Sequence, residues 1–159
     1  MNATRLFAAV GGASVAAVGA ALVTQHGFGM QPCPWCVLQR VIYLAIALAS
    51  LLGLAWRSAS GRITSSALGL LLALCGVAAA LWQHFQAAAA ASCNVTLADK
   101  IVSRWLQLDS LAPEVFSPRA SCADAAVDLL GVPYDLWSLA LFVVIALGLL
   151  KALLLRSKR

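Results

Sequence analysis

The sequence predicts an all-α membrane protein: a four-helix antiparallel bundle with one long polar loop that carries a short amphipathic helix. Three observations predict it. Of the 159 residues, 62% are hydrophobic and only 11% charged, with a mean hydropathy of +0.90, whereas a soluble domain carries about a quarter charged residues. Four apolar runs, about residues 6–24, 37–56, 63–85 and 136–155, each approach the roughly 20 residues that cross a hydrocarbon core. The charges are also sorted by side. The N-terminal tail, the 57–62 connection and the C-terminal tail hold Arg5, Arg57, Arg62, Lys151, Arg156, Lys158 and Arg159 and no acid. The other side holds Asp99, Asp109, Glu114, Asp124, Asp128 and Asp135 with Arg40, Lys100, Arg104 and Arg119. The positive-inside rule then puts both termini in the cytoplasm.

Each element has its own reason. Leu6–Thr24 is 19 uncharged residues, longer than the about 7–15 of a signal-peptide core, so it is read as a span. The 25–36 loop contains Gly27, Gly29, Pro32 and Pro34 and is irregular, with Pro34 in the first turn of the second helix, where a missing N–H costs nothing. Arg40 interrupts the second span near its start and Lys151 the fourth near its end, within snorkelling reach of the interface. Ser58-Ala59-Ser60-Gly61 reads as a turn of the cytoplasmic connection. In the outer 86–135 segment, Leu97, Ile101, Trp105 and Leu108 recur at helical spacing. They predict a helix lying on the membrane surface, anchored by Trp105, with packing on its own loop as the alternative. Pro113 and Pro118 are expected to end regular structure. Trp35, Trp82 and Trp137 fall at outer span ends and Trp56 at an inner one, as interfacial indoles do. The whole of 1–159 reads as a single membrane domain, and its basic excess as a topology signal with no nucleic-acid partner.

The chemistry lies in the cysteines. Cys33-Pro-Trp-Cys36 opens the second span, and Cys93 and Cys122 lie in the polar loop. A Cys-X-X-Cys pair can cycle between dithiol and disulfide. Covalent haem would require His where Val37 stands. A metal site would need two further ligands, and Cys93 and Cys122, 29 positions apart, lack paired spacing. Redox chemistry is favoured on the motif, with a structural bridge and a metal half-site as the alternatives. Cys75, in mid-span, reads as an inert small hydrophobe. Arg40 is four residues past Cys36, hence on the same helix face. There its cation would favour the thiolate and stabilise a partly reduced acceptor; lipid phosphate binding is the alternative. His84 closes the third span and could hydrogen-bond an acceptor or carry a proton.

Pro32-Cys33-Pro-Trp-Cys36-Val-Leu-Gln-Arg40 resembles the signature of the disulfide bond formation protein B (DsbB) family. The resemblance extends through Trp105–Asp109, Pro113–Phe116, Ser121-Cys122 and Leu130–Leu139 over essentially the whole chain, departing at the Ala87–Ala91 stretch. It implies an enzyme of the bacterial inner membrane that reoxidises the periplasmic thioredoxin-like protein DsbA and passes the electrons to the membrane quinone pool. Ubiquinone or menaquinone would bind non-covalently, and no metal is involved. By resemblance, DsbA attacks Cys93 of a Cys93–Cys122 disulfide, the electrons pass to Cys33–Cys36, and Cys36 reduces quinone beside Arg40 and His84. As a plain staple, Cys93–Cys122 would stabilise the loop by about 3.5 kcal/mol. The rival functions are a vitamin K epoxide reductase-like quinone reductase, whose Cys-X-X-Cys belongs in a late span, and a non-catalytic stapled bundle.

The charge asymmetry yields a first expectation. Single cysteines introduced at positions 59 and 125 should react with an impermeant reagent from opposite membrane faces. Labelling of both from one face would refute the topology.

Overall fold

Four long helices carry the apolar length of the chain in the computed structural model, which describes residues 3–56, 58–87 and 97–157. They are α1 (Ala3–Phe28), α2 (Pro34–Ala55), α3 (Ala59–Trp82) and α7 (Tyr134–Ser157). All four are long and apolar enough to cross a membrane, with mean hydropathies of 2.0 to 2.3. α1 packs on α2, α2 on α3 and α3 on α7, and α7 returns to α1. The outward faces are as apolar as the core: Val15, Val23, Leu48, Leu51, Leu71, Leu74, Val144 and Leu147 are exposed. A helix apolar all round has no water-facing side, so the architecture is that of a multi-pass membrane bundle. Cys75, too, lies on the exposed face of α3.

Local chemistry sets the helix ends. Pro34 is at the first position of α2, as its sequence predicts. Ser58 caps α3, its Oγ accepting from the Gly61 N–H at 3.1 Å. The expected Ser58–Gly61 turn is therefore mostly the first turn of α3, because a serine at N-cap starts a helix as readily as it marks a turn. At its far end, α3 widens into a π-helical turn, Gln83–Ala87.

The loop between α3 and α7 holds α4 (Leu97–Asp99), continued by a π-helical stretch Lys100–Trp105, then α5 (Leu108–Leu111) and α6 (Pro113–Phe116). Pro113 opens α6 at its first helical position; the expectation that it ends regular structure is corrected, since a proline is tolerated at N1. The amphipathic segment divides its faces. Ala98 and Val102 are fully buried toward α2, while Leu97, Trp105, Leu106 and Leu111 are exposed. The strands β1 (Asp128–Leu129) and β2 (Val132–Pro133) then pair antiparallel through Leu130 and Gly131, both at positive φ (58° and 77°). Two such residues make the primed turn whose twist suits a tight hairpin. The Trp137 indole N–H donates to the Leu129 carbonyl at 3.1 Å and ties the hairpin to α7.

Small residues set the helix spacing. A Cβ at Gly53 would lie 2.7 Å from the Phe7 ring, and one at Gly76 would run into Phe142, which is fully buried. Phe142 in turn stacks flat on Tyr43, centroids 4.1 Å apart. Gly76→Val should therefore destabilise the bundle by about 1–3 kcal/mol through overpacking. Gly12→Ala, with open space around its Cβ position, should be neutral or better. Thermal unfolding in one detergent checks both, and an unchanged midpoint in Gly76→Val would refute the packing argument.

Candidate active site

Cys33 is the N-cap of α2, in extended conformation, and its sulfur accepts the Cys36 N–H at 3.2 Å. One helical turn thus brings the two sulfurs to 2.7 Å, with Cys33 buried and Cys36 half-buried. All four described cysteines are free thiols.

A second cysteine reaches this turn from the loop. The Pro32 carbonyl accepts both the Arg119 N–H at 2.9 Å and the Ala120 N–H at 3.3 Å. That anchor brings Cys122, two residues on, beside the Cys33 thiol. The contact splits the two thiols. Cys33, donating to Cys122 and to Cys36 and buried besides, is pushed far up from the ordinary thiol range. Cys122 is lowered, chiefly because Cys33 donates to it, with help from the Trp35 backbone N–H against the cost of burial. Of the predicted site residues, the structure therefore groups Cys33, Cys36 and Cys122. Cys93 lies outside the described residues.

On the far side of Cys36 is a cavity of about 740 Å³ between α1, α2 and α7, roofed by the loop. Its wall includes Ala17, Ala20, Ala21 and Leu141, and its polar groups include Gln39, Arg40, Tyr43 and Gln83. Arg40 is buried, its guanidinium held within the bundle. Its Nη1 donates to Gln25 Oε1 and to the Val115 carbonyl, both at 2.7 Å, and its Nη2 to the Ala21 carbonyl at 3.4 Å. Besides Cys33, Gln83 bonds the Cys36 sulfur, through Nε2 at 3.3 Å. Gln83 Oε1 accepts from Gln39 Nε2 at 2.9 Å. Tyr43 donates to the Ser138 carbonyl at 3.0 Å.

His84 is set apart from this group. It follows Gln83 on the π-helical turn, and its Nδ1 is 2.8 Å from Asp135 Oδ2. Asp135 and Gln83 line the cavity while His84 does not. Sequence reasoning missed Gln25, Gln39, Gln83 and Tyr43. A signal was present for the glutamines: an uncharged but polar side chain within an apolar helix must find a hydrogen-bonding partner across the bundle.

A family model described as disulfide bond formation protein DsbB matches residues 3–152. Among curated proteins, the disulfide bond formation protein B of Ralstonia nicotianae is 36% identical over 148 residues, covering 89% of this chain and 88% of its own. That of Pseudomonas syringae pv. tomato is 35% identical over 145 residues, covering 89% and 83%. That of Cupriavidus metallidurans is 31% identical over 158 residues, covering 99% and 96%.

The three-sulfur cluster makes its own prediction. In a Cys36→Ser/Cys93→Ser variant, Cys33 and Cys122 should join in a disulfide under mild oxidation, seen by peptide mass mapping. In the reduced protein Cys122 should be alkylated at a pH where Cys33 is still protected, following the lowered and raised thiols respectively. Equal labelling of the two, or no crosslink, would refute the adjacency.

Proposed function

The chain belongs to the disulfide bond formation protein B family, and from that premise we propose that it is a thiol:quinone oxidoreductase of the bacterial inner membrane. In this reading both termini are cytoplasmic, the 86–135 loop is periplasmic, and the protein reoxidises a periplasmic DsbA-like dithiol. The observation that carries the reading is the position of Cys33 between two sulfurs. Cys122 comes to it from the loop, and Cys36 lies on its other side at the cavity wall.

The chemistry is a relay of thiolate displacements. A thiolate of the reduced partner attacks Cys93 of a Cys93–Cys122 disulfide. The Cys93–Cys122 bond breaks, and Cys122 leaves as a thiolate. Cys122 attacks Cys33 of the Cys33–Cys36 disulfide. A Cys122–Cys33 bond forms, and Cys36 leaves with the electron pair. The partner's second thiolate then displaces Cys93, which attacks Cys122, restores the loop disulfide and frees Cys33. The net result is one disulfide made in the partner and one dithiol left at Cys33 and Cys36.

The cavity fits a quinone head group by size and lining. Pockets of about 300–1,000 Å³ with apolar walls and a few placed polar groups hold small cofactors, and this one has about 740 Å³. Ala17, Ala20, Ala21 and Leu141 supply the apolar wall, and Arg40 and Gln39 polar N–H groups. A quinone bound there supplies the two-electron acceptor that returns Cys33 and Cys36 to the disulfide. Arg40 would hold negative charge near its oxygens by a cation fixed before the acceptor arrives. His84 would act at one remove, through Asp135 at the cavity wall.

Cys36→Ser should abolish quinone reduction. Arg40→Met keeps the stem, removes the cation and should leave the thiol count intact. One charge-assisted contact of about 1.5–3 kcal/mol corresponds to a roughly ten- to hundredfold loss in rate or affinity. Cys122→Ser should stop oxidation of the soluble dithiol partner while the Cys33–Cys36 pair still responds to quinone. Stopped-flow quinone reduction over a concentration series measures all three. A wild-type rate and apparent affinity in Arg40→Met would remove Arg40 from the site.

A further inference from the structure

Gln39 and Gln83 are polar and almost wholly buried, Gln39 beside Arg40 on α2 and Gln83 at the start of the π-helical turn that follows α3. We propose that they form a two-amide relay that stabilises Cys36 as the thiolate leaving when Cys33 is attacked. Gln83 is a catalytic residue whose side-chain N–H rests on the reacting sulfur. Gln39 is a positioning residue that turns this N–H toward it. The proposal rests on the thiol–disulfide reading given above.

The geometry supports each part. A carboxamide can present either its oxygen or its NH₂ to a neighbour, so its effect on a sulfur depends on what fixes its rotation. Gln39 is three residues after Cys36 on α2, hence on the same helix face. Its Nε2 donates to Gln83 Oε1 at 2.9 Å. With that oxygen engaged, Gln83 is left with its NH₂ toward Cys36, where Nε2 lies 3.3 Å from Sγ. The reverse rotation would set two NH₂ groups against each other and an oxygen against the sulfur. Gln83 also opens the π-helical turn, a feature that often marks functional positions in helices.

The relay acts where charge develops. In the Cys33–Cys36 disulfide both sulfurs are neutral and an amide donor gains little. When Cys122 forms its bond to Cys33, the Cys33–Cys36 bond breaks and its electron pair goes to Cys36. The Gln83 N–H then bonds an anion, and charge-assisted hydrogen bonds are roughly twice as strong as neutral ones. No proton needs to move in this step. The thiolate forms at the cavity wall, facing the acceptor, while Cys33 stays with the loop cysteine.

The test uses the full chain in nanodiscs with Cys75→Ala, Cys93→Ser and Cys122→Ser, so that Cys33 and Cys36 are the sole redox pair. The pair is equilibrated with reduced and oxidised glutathione without quinone, and the dithiol fraction is read by alkylation and mass spectrometry. Gln83→Met, close in shape but with no donor, should shift the equilibrium toward the disulfide by about three- to tenfold, or about 15–30 mV. Gln39→Met should shift it in the same direction by about two- to threefold. The double variant should go no further than Gln83→Met alone, because Gln39 acts only through Gln83. Gln83→Glu, which sets a carboxylate against the thiolate, should shift it at least as far as Gln83→Met. A wild-type equilibrium in a folded Gln83→Met protein would overturn the relay, as would full additivity in the double variant. Should Gln83→Met not fold, a wild-type equilibrium in Gln39→Met overturns it equally, since that change leaves Cys36 untouched. Quinone is absent from this equilibrium. Failure of the unsubstituted protein to oxidise its thiols with quinone would therefore overturn the functional reading and leave the Gln83 result standing.

Discussion

A guanidinium buried in an apolar bundle, with its hydrogen bonds going to neutral oxygens, is the constraint around which the cysteine end of this molecule is built. Arg40 draws on the side chain of Gln25 and the carbonyl of Ala21 from α1, and on the carbonyl of Val115 from α6. An unsolvated cation in such surroundings costs several kcal/mol, so these dipoles must all be present together. The last carbonyls of a helix have no partner within it, and the four-residue α6 offers Val115 to Arg40 for that reason. Gln25 adds a second tie, its Nε2 donating to the Glu114 carbonyl at 3.1 Å. Solvation of one charge thereby fixes the loop over the bundle and roofs the cavity.

Packing lower in the bundle sets the cavity's other side. Gly76 lets Phe142 approach α3, Phe142 stacks on Tyr43, and Tyr43 lines the cavity with its hydroxyl held on Ser138. A missing methyl group on one helix therefore reaches the site through two aromatic rings. Neither residue of the first contact carries chemistry, yet both shape the space in which it would occur.

The fold was legible because membrane spans announce themselves by composition. Uninterrupted apolar length and the placement of arginine and lysine sufficed for the four helices, and Pro34 for the start of α2. The helices run a few residues beyond the apolar runs, since Gln25 and His26 continue α1 without breaking it. Of the site, Cys33, Cys36 and Arg40 were legible through short spacing on one helix. The approach of Cys122 to Cys33 was not, because it depends on a hydrogen-bonded anchor at Pro32, 90 residues away in the chain. Gln39 and Gln83 escaped notice for a similar reason. Each alone signals only the need for a partner, and the contact between α2 and the turn after α3 joins the two. The loop's short helices and hairpin depend on turns at Gln107, Leu130 and Gly131 whose positive φ only glycine announces.

The paired hydrogen bonds on the Pro32 carbonyl have a kinetic consequence. They hold a loop thiol beside the residue that follows Pro32, so the exchange proposed between Cys122 and Cys33 would be unimolecular. Its rate is then governed by effective molarity, which for well-aligned groups reaches about 10⁵–10⁸ M, far above any concentration of free thiol in solution. A small-molecule reductant competing for Cys33 would be outrun by its neighbour. In the proposed relay, proximity would by itself keep the electrons on one route.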